Sequence, residues 1–161
     1  MFNLKTEFYL NILLLFCFIA LISAYFIEHI LGHQPCNLCL IERIPYGIGI
    51  ILIILTLVLR KNQKFLVLLL ILVFIFSLGI SIYHFGIEKE FFQESAICKA
   101  KDLSENITKD DLLEQLNKIV VSCKDVTFKI FGLSLTSINI IISLLFIIIL
   151  TKIYTRYEKN K

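Results

Sequence analysis

Four runs of about twenty apolar residues constrain this chain more than anything else in it. They cover residues 8–31, 40–59, 65–85 and 132–151 of 161. As a helix, each is roughly 30 Å long, close to the hydrocarbon thickness of a bilayer. In lipid every backbone polar group has to be satisfied inside its own segment, and a helix does this. A transmembrane barrel needs alternating apolar and polar residues, and these runs do not alternate. The composition agrees: 58% of residues are hydrophobic and mean hydropathy is +0.85. The expected fold is an all-α integral membrane protein, a four-helix transmembrane bundle within one membrane domain, residues 1–161. The first run is too long for the apolar core of a signal peptide, and no clear small-residue cleavage site follows it, so we read it as a retained span.

The connections differ in length and charge. Residues 60–64, Arg-Lys-Asn-Gln-Lys, make a short basic turn, and the tail beyond Lys152 adds Arg156, Lys159 and Lys161. Residues 86–131 are long and mixed, with nine acidic residues against seven lysines. Basic density next to the spans places the short turn and both termini in the cytoplasm. The 32–35 turn and the 86–131 loop then lie on the outer face. Within that loop, Asp110–Val120 has Leu112, Leu113, Leu116, Ile119 and Val120 at helical spacing behind two aspartates. This predicts a short amphipathic helix resting on the membrane surface.

Cysteine placement follows this topology. Cys36 and Cys39 open the second span, and Cys98 and Cys123 sit in the outer loop. All four share the outer face, while Cys17 lies mid-span and reads as a small core residue. Pro35 suits the first turn of a helix. If the second helix begins there, Cys36, Cys39 and Arg43 fall at i, i+3 and i+7 on one face. A helix N-terminus and a nearby arginine both favour the reactive thiolate. Pro45 lies inside the same segment, frees the carbonyl of Ile41, and predicts a kink.

A bare Cys-x-x-Cys is also compatible with an inert disulfide or half of a zinc site. An oxidising outer compartment favours disulfides over four zinc-bound thiolates. Arg43 is hard to explain beside zinc but natural beside a thiolate or an electron-rich carbonyl. Two cysteine pairs on one face suggest a relay, with one pair meeting a soluble partner and the other a lipid-soluble acceptor. There is no haem-attachment motif and no dinucleotide fingerprint. A quinone dissolved in the bilayer is therefore the acceptor best placed to reach a thiol at a span's end. A net charge of +3, no basic arm and no phosphate loop leave no case for nucleic acid.

With these residues in view, the chain resembles the DsbB family of disulfide bond formation proteins. "PCNLCLIER", Pro35–Arg43, is similar to that family's Pro-Cys-x-x-Cys-x-x-Glu-Arg motif. "YHFGIE", Tyr83–Glu88, resembles its Tyr-His-x-Gly-Val-Glu stretch at the end of the third span. Many relatives follow that stretch with tryptophans. Here Lys89, Glu90, Phe91 and Phe92 stand there, and the chain has no tryptophan.

The resemblance implies an oxidoreductase of the bacterial inner membrane that reoxidises a DsbA-like thioredoxin-fold periplasmic partner at the expense of a quinone, ubiquinone or menaquinone. It implies that the partner attacks Cys98, that Cys123 passes electrons to Cys36, and that Cys39 faces the quinone. It implies that Arg43 holds the quinone and that His84 lies near it. Resting pairs Cys36–Cys39 and Cys98–Cys123 are expected, with Cys17 free. Glu28 and His29 read as interfacial polar residues. Two alternatives stand beside this reading. One is a membrane reductase resembling vitamin K epoxide reductase, whose Cys-x-x-Cys lies in a later span. The other is a non-enzymatic metal-binding membrane protein or passive bundle subunit.

Overall fold

The computed structural model describes residues 4–59, 62–93, 98, 122–124, 129–130 and 132–159. The amphipathic segment Asp110–Val120 expected from the sequence lies outside the described residues, as do Arg60 and Lys61. Helix α1 is Leu4–His29, α2 is Asn37–Ile41, α3 is Ile44–Val58, α4 is Gln63–Glu88 and α5 is Leu135–Lys159. Among the described residues four segments are long and apolar enough to cross a membrane, with α2 and α3 together making one of them. The large apolar side chains left exposed, such as Phe8, Ile22, Ile51, Val58, Phe65 and Phe76, ring the bundle. On a soluble monomer so much exposed apolar surface would be anomalous; around a bundle it is the lipid-facing side.

The helices alternate in direction. α4 packs along α5 and α3, and α3 packs along α1, while α1 and α5 meet only sparingly. The core draws Leu10, Leu13 and Cys17 from α1, Tyr46 and Ile53 from α3, Val67, Leu70 and Phe74 from α4, and Phe146, Leu150 and Ile153 from α5. Phe74 is its centre. Its ring meets Phe146 edge-on at 4.7 Å and Tyr46 at 6.1 Å. Gly49 permits this approach, because a Cβ there would lie 3.3 Å from the Phe74 ring and 3.6 Å from the Cys17 sulfur. Cys17 is thus a buried free thiol in the core, as its mid-span position implied.

Hydrocarbon contacts alone do not distinguish a helix partner from lipid, so polar side chains help to fix the register. Asn139 of α5 accepts a hydrogen bond from the Tyr46 hydroxyl and donates to Ser81 Oγ of α4 at 2.8 Å. One turn deeper, Ser143 bonds Ser77 at 3.3 Å. At the opposite end Gln63 Nε2 reaches the Thr56 carbonyl at 3.2 Å, closing the short turn between α3 and α4.

Three local features depart from the sequence expectation. The second span is broken: α2 stops at Ile41, Glu42 and Arg43 form a turn, and Pro45 sits in the first turn of α3. Proline cannot bond the Ile41 carbonyl, and the break falls where that bond is missing. Pro35 precedes the helix rather than opening it, and Cys36 is the N-cap. Glu42 and Arg43 keep right-handed helical backbone angles through the break, and Arg43 lines the same cavity as Cys36 and Cys39. Finally, a two-residue antiparallel pair, β1 (Lys129–Ile130) with β2 (Leu133–Ser134), precedes α5. Gly132, at φ +81°, supplies the left-handed residue its tight turn needs.

Candidate active site

Both cysteine pairs come together at the end of the bundle where α1 and α4 finish and α2 and α5 begin. Cys36, Leu38, Ile87, Cys98 and Cys123 form one buried cluster. Cys98 and Cys123 are joined in a disulfide with Cα atoms 5.4 Å apart, an ordinary span for such a bond. Cys36 and Cys39 are free thiols with their sulfurs 2.7 Å apart. The Cys98–Cys123 pair is bonded as expected, and the Cys36 and Cys39 sulfurs stand within reach of each other.

The local sequence explains how Cys36 is held. As N-cap its backbone is extended, and its Sγ accepts the Cys39 backbone N–H at 3.3 Å, in the way an N-cap oxygen would. Across from it, His84 of α4 brings Nε2 to 3.6 Å from the Cys36 sulfur. His84 is buried, and its Nδ1 faces Glu42 Oε1 at 3.0 Å and Thr136 Oγ1 at 3.2 Å. Thr136 in turn donates to Glu88 Oε1 at 2.7 Å. The hydrogen bond from Cys39 draws the Cys36 thiol down to about 5, against the opposing effect of burial, and His84 adds to the lowering. The acidified thiol of the free pair is therefore Cys36, whereas the resemblance puts the acceptor-facing thiolate at Cys39.

Arg43 leaves the turn towards α1. Its Nη1 lies 2.5 Å from Glu28 Oε2, and its guanidinium stands over the Tyr25 ring at 5.3 Å. Between these groups is a cavity of about 340 Å³, lined by Cys36, Cys39, Arg43, His84 and Cys123 at its outer end and by apolar side chains of α1 and α5 along its length. Phe16 and Ile19 line the cavity and are also half-exposed on the bundle surface, so it reaches the lipid-facing side through the gap between α1 and α5.

The sequence reading singled out Cys36, Cys39, Cys98, Cys123, Arg43 and His84, and the structure gathers the four cysteines into one cluster or against it, with the other two residues on the cavity wall. Glu42 and Glu88 stood in the two motifs without a role of their own, Thr136 was not singled out, and Glu28 read as an interfacial residue. An ionisable residue within a span is by default functional, and that rule would have flagged Glu42. Thr136 carries no comparable signal. Cys36, Cys39 and His84 have donor atoms within 4.8 Å of one another. Two thiolates on one tetrahedral zinc at ~2.3 Å stand about 3.8 Å apart. At 2.7 Å the two sulfurs stand closer together than that.

The family model described as disulfide bond formation protein DsbB matches residues 6–153. The chain belongs to the DsbB family. A DsbB-family chain with four membrane-crossing helices is a disulfide-bond-forming membrane protein, a thiol oxidoreductase. It is also 29% identical over 152 residues to the uncharacterized protein RP370 of Rickettsia prowazekii (strain Madrid E), an alignment covering 93% of this chain and 88% of that one. No solved structure matches.

Proposed function

We propose that this DsbB-family protein takes electrons from a reduced thioredoxin-fold partner outside the bacterial inner membrane and delivers them to a quinone in the bilayer. The carrying observation is that one cavity is bounded by Cys123 of the outer pair, by Cys36 and Cys39, and by the lipid-facing gap between α1 and α5. A soluble partner reaches one end of this arrangement and a lipid-soluble molecule reaches the other.

The chain's own residues divide the work. Cys98 takes the partner's attack, which releases Cys123 as a thiolate. Cys123 attacks Cys36, its neighbour in the buried cluster, and Cys39 leaves on the cavity side. Cys36 is the better buried of the inner pair and Cys39 the more open, which suits a sulfur that receives electrons from within and one that passes them outward. The partner's second thiolate resolves the mixed disulfide and frees Cys98, which attacks Cys123, so that the Cys98–Cys123 bond re-forms and Cys36 leaves as a thiolate. Closing the Cys36–Cys39 bond then gives up two electrons, which the quinone would accept. The low proton affinity of Cys36 serves that step, because the thiolate is the nucleophile.

The cavity suits a quinone head group. It has the size of small-ligand pockets, its walls are mostly apolar, and its few polar groups converge at one end. Arg43 and His84 would hold the head group, whose chemistry is to accept two electrons and two protons. Arg43 would stabilise negative charge as it develops there.

Trapping tests the electron route. With Cys39→Ser in place, reduced partner should drive accumulation of a Cys36–Cys123 disulfide, read by mass mapping after acid quench. A Cys39→Ser protein that keeps only the Cys98–Cys123 bond under these conditions would remove the transfer between pairs.

A further inference from the structure

Resting on the reading above, we infer that Glu88, Thr136 and His84 form a proton path from the outer aqueous face to the inner thiol pair and its cavity. The need for a path follows from the balance of the reaction. A dithiol that reduces a quinone gives up two electrons and two protons, forming one S–S bond and turning two carbonyl oxygens into hydroxyls. Thiolate exchange moves the electrons alone. Each attacking sulfur has already lost its proton, and the partner's sulfurs lose theirs in water outside. Those two protons have to reach the inner pair separately, and Cys36 sits inside a buried cluster of sulfurs and apolar side chains.

The hydrogen bonds supply one continuous line. Glu88 is half-buried at the outer end of α4, where its carboxylate can exchange protons with water. It accepts from Thr136 Oγ1 at 2.7 Å. The same hydroxyl lies 3.2 Å from His84 Nδ1, and His84 Nε2 lies 3.6 Å from the Cys36 sulfur. Every member can both take and give a proton: a carboxylate, a hydroxyl that rotates, and an imidazole with two distinct nitrogens. Glu42, 3.0 Å from His84 Nδ1, fixes the ring. Thr136 is 2% exposed, so the link between the carboxylate and the imidazole is buried.

The charged and titratable groups facing His84 are Cys36 and Cys39 from α2, Glu42 from the turn, Glu28 and Arg43 across the cavity, and Glu88 on its own helix. Thr136 is the polar side chain that α5 contributes to the line.

The test uses the full-length protein in detergent with Thr136→Val, Thr136→Ser and Glu88→Gln. Without any quinone, the inner pair is reduced and the pH is dropped in a stopped-flow cell while thiolate absorbance is followed. Protonation should slow about tenfold or more in Thr136→Val and Glu88→Gln, and stay at the wild-type rate in Thr136→Ser. With quinone, single-turnover reduction should fall by roughly a hundredfold in Thr136→Val, the low end of what a positioned proton donor contributes. Formate, a small diffusible acid, should restore part of it. Exchange of the outer disulfide with a reduced thioredoxin-fold protein should not change. Wild-type thiolate protonation in both Thr136→Val and Glu88→Gln overturns the path, and so does a slowing that neither formate nor Thr136→Ser relieves. Should the wild-type protein itself fail to reduce quinone, the functional reading falls, and the quinone-free measurement still decides the path.

Discussion

Arg43 and Glu28 are joined at 2.5 Å across the mouth of the cavity, tying the turn after α2 to the end of α1. With side chains only 17% and 26% exposed, this is more than a rim contact. The pair leaves other guanidinium N–H groups for a ligand, since arginine has five donors in a fixed fork.

Arg43→Ala should therefore weaken quinone use by about ten- to a hundredfold, the worth of a charge-assisted hydrogen bond of roughly 1.5–3 kcal/mol. Arg43→Lys should recover part of this, because a point charge cannot match the fork. Glu28→Gln should raise the quinone KM by a smaller factor, through loss of aim rather than of the donor. Steady-state rates against quinone concentration read all three. Wild-type kinetics in Arg43→Lys would mean that the arginine only carries its charge to the surface.

The environment of Cys36 makes a pH prediction. Its thiol is lowered from the usual 9.0 to about 5. A lowered folded value means that the folded reduced protein holds fewer protons than the unfolded chain between these values, so its stability rises with pH across that window. This contribution is complete above 9 and is lost as pH falls through about 5. Alkylation of the reduced protein at Cys36 should stay fast at pH 6 and fail near pH 4. His84→Ala should move the midpoint upward. A midpoint near 9 in the wild-type protein would remove the thiolate from the account.

Much of this was legible before the fold. The apolar runs fix four spans because lipid leaves the backbone no other economical solution, and the paired cysteines fix one face of the membrane. The break at Glu42–Arg43 was half visible, since Pro45 predicts a kink but not the residue at which α2 stops. Thr136 was invisible, because a threonine at the start of a span reads as an ordinary helix-end residue until its neighbours are known. The ion pair of Glu28 was out of reach for a related reason: its partner Arg43 is fifteen residues away, beyond any helical periodicity.

The tryptophan-free end of α4 also has a physical account. Phe91 N–H bonds the Gly86 carbonyl at 2.8 Å and Glu90 N–H the Ile87 carbonyl at 3.0 Å, a Schellman ending with Glu90 in the left-handed position at φ 61°. Phe92 then folds back over Gly86 and stacks on Tyr83, with ring centres 5.8 Å apart. A methyl group at Gly86 would run into the Phe92 ring. Gly86→Ala should unseat that ring at a cost of about 1–3 kcal/mol and slow exchange at Cys98–Cys123 while the spans stay folded. Glu90→Gly should stabilise the turn by up to about 1–2 kcal/mol. Thermal unfolding with a partner-exchange assay separates the two effects, and an unchanged exchange rate in Gly86→Ala would detach the loop from this seat.

Orientation has its own check. Residues 60–64 and the tail should face the cytoplasm. In cells with an opened outer membrane, an impermeant thiol reagent should label a cysteine placed at Ser104, in the expected outer loop, and not one at Asn62. The reverse pattern would expose the redox cysteines to a reducing compartment.

The central claim is that electrons from a dithiol partner leave through a quinone. Purified protein, anaerobic and free of added metal, is titrated with a water-soluble quinone in the presence of a reduced thioredoxin-fold protein, following quinone absorbance and partner thiols together. One quinone should be consumed for each partner disulfide formed, with no consumption in Cys39→Ser. Partner oxidation that proceeds without quinone loss, or protein that holds zinc on its thiols and oxidises nothing, would contradict it.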